Sequence, residues 1–365
     1  MTYLYQREDW PNFTWREGKI INLLAEVSNL QGRILGRMES LGFELRQEAT
    51  LETIALDVLK SSEIEGEILN PHQVRSSIAK RIGMELAGAV PADRDVDGMV
   101  DMMIDATQNC YNPISEERLF DWHAALFPTG RSGLYKIRVA GWRLDDAGPM
   151  QVVSETIGKE KIHFQAPDAI LVSHEMNQFI EWFNSRLDID GILKAAIAHL
   201  WFITIHPFAD GNGRIARALT DMLLARSDKS KQRFYSMSAQ IRAERSQYYE
   251  ILEKTQKGPM DITPWVLWFL NCLKNAFHLT EVVLDKVLFK AEFWKIHSGV
   301  VMNERQHKMI NKILDNFEGN VTSDKWAKLS KCSKDTAIRD INDLIEKKVL
   351  RKEDAGGRST HYVLK

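Results

Sequence analysis

The segment from His206 to Arg217 (HPFADGNGRIAR) places a base, an acid, two glycines and two arginines within twelve residues. Histidine has an unperturbed pKa of about 6.5, so the neutral ring of His206 can accept a proton from a hydroxyl near neutral pH. Asp210 offers a hard oxygen ligand of the kind that holds Mg²⁺ together with phosphate oxygens and water. Arg214 and Arg217, three residues apart, can present their guanidinium groups to phosphate from one helix face. Together these residue types indicate chemistry on a phosphate.

Two helices are expected to position this segment. Residues 192–205 (ILKAAIAHLWFITI) are nearly all apolar and contain no glycine or proline, which predicts a buried helix, and residues 215–225 predict another. Gly211 and Gly213 would let backbone N–H groups converge where the second helix begins, which creates an anion-binding turn. Taken singly, the Gly-Asn-Gly turn is more typical of a plain loop, and a histidine beside an apolar helix is more typical of a core residue. The combination favours the phosphate site.

The segment resembles the signature of the Fic-domain transferases, His-Pro-Phe-x-Asp-Gly-Asn-Gly-Arg-x-x-Arg, at every specified position. The resemblance implies a mainly α fold, a helical bundle with a β-hairpin flap. It also implies transfer of AMP from ATP to a Ser, Thr or Tyr hydroxyl of target proteins and of the enzyme itself. Relatives that transfer phosphate usually carry a lysine where this chain has Gly213, which favours AMP. The alternative is a DNA-binding regulator whose silent Fic domain only senses nucleotide.

The same resemblance assigns a role to each position. His206 is expected to be the general base and Asp210 the Mg²⁺ ligand. The nucleotide phosphates would be bound by Gly211, Asn212, Gly213, Arg214 and Arg217.

A second motif lies far upstream, at Ser61-Ser62-Glu63-Ile64-Glu65-Gly66. Ser61 and Glu65 are four residues apart and share a helix face, and Gly66 suits a helix end. A solvated, glycine-capped helix end explains the hexapeptide by itself. Beside the loop, it resembles the inhibitory motif that some Fic proteins carry in their N-terminal part, which implies that Ser61, Glu65 and Gly66 form an inhibitory element. The glutamate would then pair with Arg217 and could also help to remove AMP from modified targets.

A non-helical stretch lies between the two motifs. Residues 134–144 alternate in part between apolar and polar side chains, and two further short runs, residues 150–154 and 161–165, predict a β-hairpin. Fic proteins carry a hairpin flap at this place that holds the target segment as an added strand. The resemblance therefore assigns target binding to Gln151, Val152, Val153 and Ser154. A surface hairpin without a role is the alternative.

The nucleotide base requires its own pocket. Tyr248 and Tyr249 resemble the paired tyrosines that border adenine and ribose in the family, although paired helical tyrosines are more often packing residues. Some relatives have an asparagine seven residues after the second tyrosine, and this chain has Gln256. Base selectivity is therefore less strongly indicated than transfer.

Composition fits an enzyme of a reducing cytoplasm. The chain has 365 residues, of which 44% are hydrophobic and 27% charged, and a net charge of −2 that argues against general coating of nucleic acid. Three widely spaced cysteines indicate neither a disulfide framework nor a zinc site. The N-terminal residues lack an apolar signal core, and Lys194 and His199 interrupt the most apolar stretch, so no membrane segment is expected. A homodimer remains an open alternative.

Three domains are predicted: an N-terminal helical domain at 1–114, a catalytic domain at 115–290 and a C-terminal module at 291–365. The last contains three predicted helices, two β runs and a Gly356-Gly357 turn, typical of a winged helix-turn-helix domain. Its recognition helix would offer Lys334, Thr336 and Arg339 to DNA, with Arg351, Lys352 and Arg358 near the wing. Because the recognition helix also carries Asp335, Asp340 and Asp343, docking onto a protein is nearly as well supported as DNA binding.

Overall fold

The structure is a computed structural model that describes residues 2–39, 41–85, 89–145, 148–156, 159–186, 188–314, 319–353 and 360–365. Within these ranges the chain is mainly helical, as predicted, and its sheets are small antiparallel pairs. Internal packing divides the chain into two compact units, residues 1–280 and 281–365. In the described ranges no helix combines the length and apolar character that crossing a bilayer requires.

The N-terminal part of the first unit is helical, which agrees with the helical domain predicted there. A short 3-10 helix at Leu4–Gln6 is followed by α1 (Glu17–Glu39), α2 (Phe43–Ile64), α3 (Pro71–Ile82) and α4 (Arg94–Gln108). The amphipathic spacing of α1 buries one stripe, which contains Ile20, Val27, Leu30, Ile34 and Met38.

The predicted hairpin follows a further helix. The elements are α5 (Glu116–Leu126), β1 (Arg131–Ser132), β2 (Tyr135–Lys136), β3 (Gln151–Thr156), β4 (Lys159–Gln165) and α6 (Ala169–Asn184). β3 pairs with β4 in antiparallel register, with Gln151 opposite Gln165. Residues 134–144 are not helical, as expected, and strand pairing within them is confined to Tyr135–Lys136. Ala140 has φ +52°, and the N–H of Arg143 donates to the Pro207 carbonyl, so this stretch turns towards the loop after residue 206 instead of extending a strand.

The centre of the first unit is a pair of packed helices, α7 (Gly191–Ile205) and α8 (Asn212–Asp228). Every residue from Ile192 to Ile205 is buried, including Lys194 and His199, which confirms the predicted buried helix. Lys194 donates to the Ser185 carbonyl, so its charged head has a partner. The elements that follow are α9 (Met237–Ala243), α10 (Arg245–Gln256) and α11 (Thr263–Ile296), the last of which ends in the second unit.

A buried ionic network links α2 to α8. Arg233, whose side chain is fully buried, lies 2.7 Å from Asp221 and 3.2 Å from Asp228. Ser236, three residues further on, donates a hydrogen bond to Asp57 of α2. Buried charges are tolerated only when they are paired and hydrogen-bonded, so this network fixes how α2 docks on the core.

The second unit, residues 281–365, has helices followed by a short hairpin. It contains α12 (Glu304–Leu314), α13 (Ser323–Ser330), α14 (Lys334–Glu346), β5 (Leu350–Glu353) and β6 (His361–Leu364). A separate core forms here around Trp326, Ile341 and Val349. Three helices followed by a two-stranded hairpin are compatible with the predicted winged helix, which stays a prediction. The predicted turn at Gly356-Gly357 and Arg358 lie outside the described residues.

Candidate active site

The loop between α7 and α8 has a defined shape. His206, which ends α7, adopts the left-handed region at φ +53°, and Gly211 adopts it at φ +81° immediately before α8. A Cβ at residue 211 would lie 2.9 Å from the Phe127 ring, so glycine is required there by space as well as by conformation. The Asn212 amide accepts a hydrogen bond from the Phe208 N–H and donates one to the Phe208 carbonyl. The side chain of Asn212 therefore holds the loop in shape.

The start of α8 presents backbone N–H groups that have no partner within the helix. Within α8, the Ile215 N–H donates to the Gly211 carbonyl. The N–H groups of Asn212, Gly213 and Arg214 precede that bond and lie at the positive end of the helix. This end of α8 is suited to a phosphate, as the sequence predicted.

His206 is buried in its neutral form. Its Nδ1 lies 3.3 Å from the Ile203 carbonyl oxygen, and a protonated Nδ1 donating there leaves Nε2 with a free lone pair. Burial lowers the pKa of His206 to about 4, opposed by the contact with the Ile203 carbonyl. The ring is therefore neutral at physiological pH and can accept a proton.

Arg143 holds the backbone of His206. Its side chain is almost completely buried, and its Nε donates to the His206 carbonyl at 2.8 Å. Its other nitrogens donate to Asp145 and to the Pro167 carbonyl. Sequence reasoning missed Arg143, because nothing in its own neighbourhood links it to a loop more than sixty residues away.

Both carboxylate oxygens of Asp210 accept hydrogen bonds. Its Oδ1 accepts from the Gly211 N–H at 2.6 Å, and its Oδ2 accepts from the Ser132 hydroxyl. Nε2 of His123 lies 3.2 Å from the Asp210 carbonyl oxygen, while Nδ1 of His123 accepts from the Ala140 N–H. Ser132 and His123 were not predicted. A half-exposed carboxylate facing a cavity fits Mg²⁺, which commonly takes one or two protein carboxylates and completes its shell with phosphate and water.

Arg217 is bound by the upstream motif. Its Nε donates to the Ser61 hydroxyl at 2.7 Å and its Nη2 to the Ser61 carbonyl at 2.8 Å. The Glu65 carboxylate lies 2.8 Å from the same Nη2. The structure thus brings Ser61 and Glu65 together on the predicted arginine. Glu65 also covers the loop, because a Cβ on Gly213 would fall 2.1 Å from Glu65 Oε1.

Arg214 has a partner that the sequence did not indicate. Its Nη1 lies 2.6 Å from Oε2 of Glu67, and its guanidinium lies over the Phe127 ring at 5.0 Å. Within the described part of the chain, Nε of Arg214 and Nη1 of Arg217 are buried without a hydrogen-bond partner. Buried guanidinium nitrogens usually have partners, so these two donors point to an anionic ligand.

His206, Asp210, Glu65 and the N-terminus of α8 face one cavity of about 600 Å³, whereas Arg214 and Glu67 line a second one. The first cavity collects most of the predicted site, and its lining includes Glu65, His206, Asp210, Gly211, Asn212, Gly213, Tyr248, Tyr249 and Gln256. Gln151, Val152 and Val153 of β3 line it as well. The backbone of Ser154 pairs with Lys161, and its side chain lies outside the described residues.

The two tyrosines occupy different environments. Tyr248 is buried, and its hydroxyl lies 2.9 Å from Nε2 of His199, which favours a packing role for most of its ring. Tyr249 is more exposed and borders the cavity beside Arg245, whose guanidinium lies over the Tyr249 ring. Gln256 is buried, with its amide 3.4 Å from the Thr204 hydroxyl. Tyr249 is therefore the better placed of the two tyrosines to meet a nucleoside.

In the second unit, the predicted DNA contacts lie at the start of α14. Lys334 pairs with Asp324, the Thr336 hydroxyl contacts the Ser333 side chain, and Arg339 lies one turn further along. Asp340 pairs with Arg305, and Asp343 with Lys347. Two of the acidic groups that argued against DNA are thus neutralised internally. DNA binding stays a prediction, and a salt-dependent shift of duplex DNA would distinguish it from protein docking.

Comparison with known families identifies the class of this site. Residues 113–224 match the model of the Fic/DOC family, and residues 3–84 match a domain of unknown function, DUF4172. The chain thus contains a Fic domain, and the matched segment includes the whole His206–Arg217 loop.

Relatives and solved structures agree with that assignment. Proteins named protein adenylyltransferase Fic from Drosophila mojavensis and Drosophila grimshawi are each 35% identical over 106 residues, which is 28% of this chain and 20% of theirs. The match thus spans about a fifth of those relatives' length. A Fic family protein from Desulfovibrio desulfuricans shares the fold over 97% of this chain and 98% of its own, with a TM-score of 0.56 and 21% identity. Fic-1 from C. elegans does so over 74% of each chain, with a TM-score of 0.51 and 23% identity.

Proposed function

We propose that this protein is a protein adenylyltransferase that moves AMP from ATP to a Ser, Thr or Tyr hydroxyl of target proteins and of itself. One observation carries the proposal: a neutral His206 faces the same cavity as the N-terminus of α8, and Arg214 and Arg217 of that helix each have one buried guanidinium nitrogen without a partner among the described residues. The names of the Drosophila relatives support the same activity.

In the proposed reaction, the target hydroxyl attacks the α-phosphorus of ATP. Nε2 of His206 accepts the hydroxyl proton, the new O–P bond forms, and the bond to the β-phosphate oxygen breaks to release pyrophosphate. The N–H groups at the start of α8, Arg214 and Arg217 hold the phosphates and stabilise the charge that develops on them. Mg²⁺ bound at Asp210 would supply further neutralisation of that charge.

The flap would position the target. β3 borders the cavity through Gln151 to Val153, and an extended target segment could add to such a strand through main-chain hydrogen bonds. Proximity between the held hydroxyl and His206 supplies much of the rate in reactions of this kind.

Glu65 would keep the enzyme inactive. Its carboxylate covers Gly213 and occupies Arg217, so a polyphosphate reaching the loop meets a negative charge and lacks one of its guanidinium partners. The same carboxylate, next to the loop, would also activate water for removal of AMP from a modified hydroxyl. Release of label from modified protein by the wild type but not by Glu65→Gln would support that second activity.

The test uses ATP labelled at two positions. Protein carrying Glu65→Gly is incubated with Mg²⁺ and either [α-³²P]ATP or [γ-³²P]ATP, alone and with a cell extract as a source of targets. We expect the Glu65→Gly protein to become labelled from the α-labelled nucleotide only. The double variant Glu65→Gly/His206→Ala should carry no label. Label from the γ position would mean phosphate transfer. Nucleotide binding without label in any variant would instead favour a silent nucleotide sensor.

A further inference from the structure

The turn that ends α2 places two carboxylates beside the loop between α7 and α8. Gly66 has φ +89°, its N–H donates to the Glu63 carbonyl, and the N–H of Glu67 donates to the Ser62 carbonyl. This is the Schellman pattern of helix termination, in which a glycine reverses the chain direction. Glu65 and Glu67 therefore flank Gly66 on a rigid turn.

The two carboxylates bind different arginines. Glu65 lies on Arg217, while Oε2 of Glu67 lies 2.6 Å from Nη1 of Arg214. The side chain of Arg214 is only 5% exposed and that of Glu67 is 47% exposed. Arg214 is thus held within the protein, whereas Glu67, which is nearly half exposed, can move into solvent when another anion replaces it.

Negative charge is concentrated where phosphates would bind. Burial raises the pKa of Glu67, Arg214 opposes that shift, and the nearby charges of Asp210 and Glu65 add to it. An arriving polyphosphate would have to displace the Glu67 carboxylate from Arg214 or lie against it. Glu67 and the nucleotide thus compete for the same guanidinium.

We propose that Glu67 is a second inhibitory residue, which withholds Arg214 from the nucleotide phosphates independently of the Glu65–Arg217 contact. This inference rests on the proposed function only in taking the loop to be a nucleotide site. Two carboxylates on one turn then inhibit the site. The nucleotide phosphates reach the loop fully only when both Glu65 and Glu67 have moved away.

The test measures nucleotide affinity, so it does not depend on transfer. Binding of ATP, ADP and AMP in the presence of Mg²⁺ is followed by calorimetry in protein carrying His206→Ala, which prevents turnover. Into this protein we introduce Glu67→Gln, which keeps the shape of the side chain and removes its charge. The matched control is Glu63→Gln, on the same turn, whose carboxylate pairs with Lys60 and Arg242 instead of the loop arginines.

We expect Glu67→Gln to tighten ATP binding about five- to tenfold, the worth of one charged hydrogen bond, and AMP binding clearly less. Glu63→Gln should change neither. Unchanged or weaker ATP binding by Glu67→Gln, confirmed with Glu67→Ala, would overturn the proposal, as would an equal gain for AMP. Absence of ATP binding in every variant would overturn both this inference and the proposed function, whereas tighter binding without transfer in Glu65→Gly would contradict the proposed function alone.

Discussion

Oε1 of Glu65 lies 2.8 Å from Nη2 of Arg217 and directly over Gly213, so the upstream motif both occupies an arginine and covers the phosphate-binding turn. The contact joins residues about 150 positions apart in the chain. Its geometry can be tested before any activity is measured, because a methyl group at residue 213 would have to displace the carboxylate.

Gly213→Ala should therefore lower stability more in the wild type than in Glu65→Gly. Residue 213 lies in the first turn of α8, where alanine suits the backbone, so the cost comes from the clash with Glu65. We expect a coupling free energy of about 0.5–3 kcal/mol between the two positions. Chemical denaturation of the two single variants and the double variant measures it, and strictly additive effects would refute the contact.

Gly66→Ala should disturb both carboxylates at once. An L-residue at φ +89° costs roughly 1–2 kcal/mol, and the turn can relieve that strain by rotating Glu65 and Glu67 away from the loop. We expect a lower melting temperature together with faster self-modification than in the wild type. Gly36→Ala in α1, where an added methyl group contacts nothing within 4 Å, is the control. A Gly66→Ala protein that melts lower but transfers no faster would show that the turn does not govern the site.

The pH profile should report a base with a low pKa. Burial lowers the pKa of His206 to about 4, and loss of the Glu65 charge, which raises that pKa, would lower it further. The neutral form therefore persists as the pH falls, and kcat/KM of Glu65→Gly should stay nearly flat between about pH 5.5 and 7.5. Initial rates of AMP transfer across this range check the prediction. An acidic limb centred near pH 6.5 would mean that His206 titrates like an exposed histidine.

The buried ionic network around Arg233 should contribute strongly to stability. Arg233→Ala leaves Asp221 and Asp228 buried without their cation, which should cost about 3–5 kcal/mol of unfolding free energy. Burial raises the pKa of Asp228, and Arg233 opposes that shift. In the variant the folded state therefore binds protons more strongly than the unfolded state, so the deficit should grow as the pH rises above the ordinary aspartate range.

Thermal melts of Arg233→Ala at pH 5 and pH 8 would measure both effects. Arg16→Ala is the control, because Arg16 and Asp261 form an exposed pair that contributes little. A deficit no larger than that of Arg16→Ala, or one that shrinks as the pH rises, would contradict this account of the network.

Local patterns in the sequence predicted much of the fold. The apolar run at 192–205 and the glycine loop fix a buried helix, a turn and a second helix, because neighbouring residues determine those elements. Residues 134–144 alternate in part, yet long-range contacts of Arg143 decide the path of that stretch. Alternating residues carry no information about such contacts.

The site was predictable where chemistry is concentrated in one motif. His206 and Asp210 line one cavity, and the structure pairs Arg217 with Glu65, while the roles assigned to these residues stay predictions. Arg143, His123 and Ser132 act on the loop through backbone or single hydrogen bonds across tertiary contacts, and their positions leave no local pattern. Glu67 carries a local signal, because it directly follows the glycine of the upstream motif, but only the fold shows that it pairs with Arg214.

The most direct test of the central claim is intact-protein mass spectrometry after incubation with ATP and Mg²⁺. Wild type, Glu65→Gly and the double variant Glu65→Gly/His206→Ala are compared under identical conditions. We predict little adduct on the wild type, abundant AMP adduct on Glu65→Gly and none on the double variant. AMP adduct on the double variant, or an equal amount on the wild type and Glu65→Gly, would contradict the account.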